Sequence, residues 1–374
     1  MSTATPAGAD FENLAQGLKQ GRGLPLSWYT GQGILDLEQQ RLFRASWQYI
    51  GSADQVREPG QFVTAEVAGI PVVIVRDNEG TLNAFHNICR HRAAQVIQEP
   101  AGKRRTLQCH YHAWTYGLDG SLKAAPRSDR ESCFAKEQLG LLPAQAATWG
   151  PFLFAHLDPA AAPLMEALGG VPRLVAEAGV DVERLRHHQR VDYELGCNWK
   201  VAIENYLECY HCTLAHPGLS DVMDTRQDAY RLTVDHGFAW QNGPLKPKAT
   251  PPAGTGYHGQ DGEVPEGRYF TVWPSLKINI NPGLANVSIG PMLPLGPDRC
   301  LGQLDYFFGE DVSEEWIDEM YAFDNQVGAE DRGLVESVQR GIVAGALDHG
   351  RIMLAAERLV AGFHEYVLAR LEGL

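Results

Sequence analysis

Two short clusters, Cys89-Arg90-His91 and Cys109-His110-Tyr111-His112, each offer one thiol and one imidazole, and residues 92–108 separate them. Four soft and borderline metal donors that must converge constrain a fold strongly. The chain around them, QFVTAEVAGIPVVIVRDNEGTLNAFHNIC and TLQCHYHAWTYGLDGSL, is rich in β-formers and broken by the turn signals DNEG and LDG. The clusters are therefore expected at the tips of hairpin-like segments held side by side by a sheet. A structural zinc and a [2Fe–2S] cluster with two histidines on one iron compete for such a donor set. Zinc fingers collect both cysteines in one cluster and both histidines in the other. Here each cluster supplies one of each, which favours iron–sulfur.

The 374 residues, 44% of them hydrophobic, can bury a sizeable core in one large domain or two ordinary ones. The start, MSTATPAGADFENLAQGLKQG, lacks the apolar core of a secretory signal, and no stretch reaches membrane-spanning length. A soluble, cytoplasmic protein is expected. Seven cysteines are too few for a disulfide scaffold at this length. The net charge of −14 argues against nucleic acid, since phosphate binding needs a basic surface.

Apolar spacing predicts a helical N-terminal segment over 1–45, a β-rich domain over 46–160 and a mixed domain over 161–374. In the last, RHHQRVDYELGCN reads as a strand, NWKVAIENYLECYHC as a helix and 243–267 as a long mobile loop. RYFTVWPSLKINI, NVSIGPMLPLG and CLGQLDYFFG are three further strand candidates, and two helical stretches follow from 313. Lys103, Arg104 and Arg105 read as a solvated turn, or as a basic tip that docks an acidic electron donor.

A second constellation lies in NWKVAIENYLECYHCTLAHPG. Residues three apart share a helix face, so Glu208 and His211 would project together, with His216 just past the helix end. Two histidines at this spacing need one carboxylate from elsewhere to make the facial triad of a non-haem Fe(II) oxygenase. Alone, His-x4-His is a weak signal; a second metal-donor cluster in one chain makes coincidence improbable.

The flanks CRHR and CHYHAWTYGLDG, with the second constellation, resemble the Rieske non-haem iron oxygenase large subunits, and the likeness covers essentially the full chain. It implies an α+β fold: an antiparallel Rieske β-domain, then a helix-grip catalytic domain in which a curved antiparallel sheet holds a long helix. It implies a [2Fe–2S] cluster on Cys89, His91, Cys109 and His112, shielded by Trp114 and Tyr116, and a mononuclear Fe(II) on His211, His216 and a third ligand. AEDRGLVESVQRG matches the segment supplying that ligand in register at Asp331, with Glu330 and Asp324 as alternatives; an acidic residue is expected there just before a helix. Glu208 and Asn205 are the catalytic candidates beside the iron, Glu208 facing His211 and, in a ring-shaped homotrimer, His112 of the next subunit.

Glutamate rather than aspartate at that bridge resembles the subgroup acting on carnitine, choline and betaines. Such a substrate implies hydroxylation beside nitrogen and C–N cleavage, with a pocket of aromatic faces for a methylated cation. Tyr206, Tyr210, Tyr269 and Trp273 are the first candidates; Phe270, Tyr306 and Phe308 are others. Cys209, Cys212, Cys133, Cys197 and Cys300 are expected as small buried apolar residues. No flavin or nicotinamide motif is visible, so a separate flavin/iron–sulfur reductase drawing on NAD(P)H is implied. The alternatives are an oxygenase of an aromatic acid and, from another class, a ferredoxin-type electron carrier.

Overall fold

A computed structural model describes residues 10–226, 228–246, 257, 259 and 262–373. Much of the loop expected at 243–267, and the chain before Asp10, lies outside them. The protein divides into two compact units: residues 43–167, and the chain flanking them on both sides.

The first unit contains a seven-stranded antiparallel sheet in the order Gln48–Ser52, Phe152–His156, Pro143–Trp149, Leu82–His86, Ile70–Arg76, Gln61–Val67, Ala101–Lys103. Val72, Val73, Ile74 and Val75 are all buried, as a β-branched run covered on both faces should be. A small sheet of Leu107–Gln108, Thr115–Tyr116 and Leu122–Ala124 carries the second Cys/His cluster. Phe62, Val73, Val75 and Phe85 from the large sheet share a core with Leu107, Trp114 and Tyr116 from the small one. That shared core fixes the two loop-bearing hairpins relative to each other.

The second unit is built on a curled antiparallel sheet in the order Leu185–Leu195, Arg299–Gly309, Asn286–Gly296, Leu276–Ile280, Glu266–Val272, Phe238–Pro244, Arg231–Val234. The expected single strand RYFTVWPSLKINI is a hairpin, pairing Val272 with Leu276 around Trp273-Pro274-Ser275. Pro274 has no N–H for a ladder, so it turns the chain instead of continuing the strand. The N-terminal helix Phe11–Lys19 packs against Arg358–Glu372, and strand Arg22–Pro25 pairs with His349–Arg351. Residues 11–25 therefore pack within this unit: a short strand must find a partner for its backbone groups.

The helix Glu314–Val343 starts where the Ser313 hydroxyl accepts from the Trp316 N–H and two glutamates occupy the first turn. Its residues Trp316, Ile317, Met320 and Phe323 pack on Leu304, Tyr306 and Phe308 of the sheet. Asp331 sits well inside this helix, not before it as expected, because the 3.6-residue pattern continues unbroken through AEDRGLVESVQRG. Among the described residues, no helix is long and apolar enough to cross a membrane.

Candidate metal centres and substrate cavity

The two Cys/His loops share one backbone design. Ala93 N–H donates to Cys89 O at 3.0 Å and Ala113 N–H to Cys109 O at 3.0 Å; Cys89 N–H returns to Ala94 O and Cys109 N–H to Trp114 O. Both alanines are left-handed, at φ 56° and 58°, a conformation that alanine adopts only under constraint. Each loop thus closes on its own hydrogen bonds with the cysteine at its start and the histidine near its tip.

Cys89 and Cys109 are buried, whereas His91 and His112 are exposed with ring centroids 4.5 Å apart. Trp114 stacks on His91 at 5.0 Å, and the Tyr116 hydroxyl lies 3.3 Å from Cys89 Sγ while accepting from the Arg90 N–H at 3.0 Å. Burial, then His91 and Arg92, push the His112 pKa down, which favours the neutral, ligating imidazole. Two buried thiols beneath two paired imidazoles form a donor set suited to a mixed thiolate/imidazole [2Fe–2S] cluster. The basic tip is largely neutralised: Lys103 pairs with Glu58 at 2.8 Å and Arg104 with Glu99 at 2.5 Å.

In the second unit the helix Trp199–Tyr206 stops before Glu208, so Glu208 and His211 do not share a helix as expected. The Glu208 carboxylate accepts from the Tyr210 and His211 N–H groups and so ends the helix, while its other oxygen holds His211 Nδ1. The same three-residue spacing brings the two side chains together through a capped turn.

His211 Nε2 and His216 Nε2 are 3.1 Å apart, and Asp331 Oδ1 lies 3.1 Å from the latter and 3.4 Å from the former. Donors at right angles on bonds of about 2.1 Å stand ~3.0 Å apart, so these three atoms fit one face around a single metal ion. Glu330 Oε2 holds His216 Nδ1 at 2.7 Å, and Asn205 Nδ2 donates to Asp331 Oδ1 at 3.1 Å. Asp324 accepts from the Tyr306 hydroxyl at 2.5 Å. The three acidic alternatives thus occupy three different positions: one at the histidine nitrogens, one behind a histidine, one in the cavity wall.

Burial would lower the His211 pKa, but the Asp331 and Glu208 carboxylates outweigh it and push it up to about 9. His216 is raised by the same balance, with Asp331 and Glu330 as the carboxylates. Burial opposes ionisation of Asp331, yet the two imidazoles hold it well below the carboxylate range. Cys212 Sγ lies 4.0 Å from His211 Nε2, but it is disulfide-bonded to Cys209, which leaves Asp331 as the closer oxygen donor. That disulfide overturns the reading of Cys209 and Cys212 as small buried apolar residues; their Cα atoms, three residues apart across the turn, come within 4.9 Å. Cys133 is exposed, not buried, whereas Cys197 and Cys300 are buried with sulfurs 3.9 Å apart.

The histidines and Asp331 border a cavity of about 350 Å³. Tyr206, Tyr269 and Tyr306 line it, and burial pushes their phenol pKa values up, so they face it as neutral hydroxyls. Four of the expected aromatics do not line it. Tyr210 is 57% exposed in the turn after the helix, and Trp273 packs on Phe363 and Tyr366. Phe270, on the opposite pleat from Tyr269, stacks on Trp240, and Phe308 meets Trp316 edge-on.

Sequence reasoning missed Tyr193, Tyr230 and the row Lys277, Asn279 and Asn281, all of which line the cavity. A signal was present: in LKININ, polar residues alternate with Leu276, Ile278 and Ile280 in a run bounded by other strands. Because Leu276–Ile280 is the central strand, that polar face is buried and not solvated.

Comparison with known proteins gives the family of both units. Residues 46–140 match the Rieske [2Fe-2S] domain, and residues 182–373 match the ring hydroxylating alpha subunit (catalytic domain). The chain is 31% identical to the carnitine monooxygenase oxygenase subunit of Acinetobacter baumannii, covering 94% of this chain and 93% of that one. It is 33% identical to the chloroplastic choline monooxygenase of Arabidopsis thaliana, over 91% and 81%. A crystal structure of the quaternary ammonium Rieske monooxygenase CntA with substrate L-carnitine superposes with a TM-score of 0.79 at 30% identity, covering 93% of this chain and 95% of that one. Two domain matches in this order, on the two donor sets described, place the chain among the Rieske non-haem iron oxygenases: it is an oxidoreductase of the alpha-subunit family.

Proposed function

We propose that the protein hydroxylates and N-dealkylates a small quaternary ammonium substrate with dioxygen, taking electrons one at a time from a separate flavin/iron–sulfur reductase supplied by NAD(P)H. The observation that carries this reading is the cavity: Tyr193, Tyr206, Tyr230, Tyr269 and Tyr306 line it, and the three converging donors border it. Aromatic faces attract a methylated cation that has no hydrogen to donate. Gln241 Oε1, in the same wall, is buried with no donor among the described residues, and such an oxygen suits that ligand. A cytoplasmic setting goes with a nicotinamide-fed reductase.

Cys89, His91, Cys109 and His112 would hold the [2Fe–2S] cluster, and His211, His216 and Asp331 the mononuclear iron. Bound there, these groups supply single-electron transfer and activation of dioxygen. The chain's own residues do the rest. With iron bound, Glu208 and Glu330 would hold the remaining proton at each Nδ1, so that both imidazoles present their Nε2 lone pair to the same point. Asn205 fixes which Asp331 oxygen faces that point. The tyrosine wall limits water and places the substrate's methyl groups beside the donors. In a homotrimer, Glu208 would also face His112 of the neighbouring copy and so join the two centres.

An aromatic acid is the second reading, because Lys277 places a cation in the same cavity. Reduced enzyme mixed with dioxygen and either L-carnitine or an aromatic acid separates the two. Faster oxidation of the cluster with the trimethylammonium compound is expected; acceleration by the aromatic acid alone would reject the proposal.

A further inference from the structure

Lys277 is the residue that a simple cation pocket does not explain. It projects from the central strand of the sheet into the cavity and is 7% exposed. Its Nζ donates to the Tyr193 hydroxyl at 2.7 Å and lies 5.5 Å and 5.4 Å from the Tyr193 and Tyr206 ring centroids. Among the described residues it forms no ion pair. An ammonium has three N–H donors, and one neutral acceptor leaves two of them for the cavity. A buried cation without an anionic partner is costly, and a trimethylammonium group entering the same space would be repelled by it.

The nearby carboxylate does not resolve this. Asp324, from the long helix, attracts Lys277 electrostatically but accepts its hydrogen bond from the Tyr306 hydroxyl, and among the described residues it makes no ion pair with Lys277. Asn279, two residues along the strand, is already tied to Tyr206 and Ser288. An incoming anion therefore finds two N–H donors of Lys277 without a partner among the described residues.

We infer that Lys277 is the anchor for a carboxylate on the substrate, so the cavity is built for a zwitterionic betaine, with cation and carboxylate in one small molecule, and not for a lone cation such as choline. This rests on the quaternary ammonium reading and narrows it. A zwitterion satisfies both features at once: its methylated end faces the tyrosines, its anionic end meets Lys277, and it adds no net charge to the cavity. Neither choline nor an aromatic acid uses both.

The test compares L-carnitine, L-carnitine methyl ester and choline, with binding measured by calorimetry on the iron-loaded enzyme and turnover measured with a reductase. On the unaltered protein, methylating the carboxylate should weaken binding by at least about 30-fold, the loss expected when a buried charged partner is removed. In Lys277→Met the preference for L-carnitine over its ester should collapse towards one, and in Lys277→Arg most of it should return. Equal binding of acid and ester by the unaltered protein overturns the inference, whether or not the variants fold, and leaves the quaternary ammonium reading standing. If none of the three compounds binds, that reading itself falls, and the inference with it.

Discussion

At the hairpin tips, His91 and His112 are exposed, steadied by one another, by Trp114 and by backbone hydrogen bonds within their loops. His211 and His216 are instead enclosed, and each has its Nδ1 tied to a glutamate. The difference follows the chemistry each site must support. A cluster that relays electrons gains from neutral imidazoles at its outer face, because less negative charge raises its potential. A site that must hold a lone divalent ion gains from carboxylates, which raise ligand basicity and lock ring orientation.

The largest test of that contrast is Asp331→Ala. It should remove the mononuclear iron and all turnover while leaving the cluster's paramagnetic resonance signal intact; loss of both centres together would show that the two sites are not independently built. Next comes pH. Because the metal-free His211 pKa is raised to about 9, a proton must leave before Nε2 can bind metal. Iron affinity of the apoprotein should therefore climb at least about tenfold per pH unit from neutrality, more where His216 also loses a proton, and level off near pH 9, as read by competition with a chelator. A flat profile would mean that the carboxylates do not hold that proton.

Glu330→Gln keeps the shape but removes the charge behind His216, and should cost about 10- to 100-fold in iron affinity. A variant beside the cluster gives the smaller effect that the comparison requires. Tyr116→Phe removes one hydrogen bond to Cys89 Sγ, worth about 1 kcal/mol, so the one-electron potential should fall by ~40 mV in a redox titration. Smallest of all, Lys103→Ala and Arg104→Ala break exposed ion pairs and should each leave the denaturant midpoint of unfolding almost unchanged.

Particular residues show how far the sequence could be read. The Cys/His loops were legible because all that defines them, two donors and two closing hydrogen bonds, falls within six residues. Glu208 and His211 were legible as a pair but not as a turn, since a three-residue spacing brings side chains together in a helix and in a capped turn alike. Tyr210 and Trp273 misled for the opposite reason. An aromatic's position in the sequence carries no information about which way the chain turns at a helix end or a hairpin.

By itself, the sequence determined which short-range donors lie together, because backbone spacing limits where neighbouring atoms can lie. The tertiary structure alone decided which of Asp324, Glu330 and Asp331 meets the histidines, and that Lys277 faces a cavity instead of solvent. Those choices depend on how the helix Glu314–Val343 lies on the sheet. That placement is set by burying Trp316, Ile317 and Met320, residues far along the chain from the histidines and from Lys277.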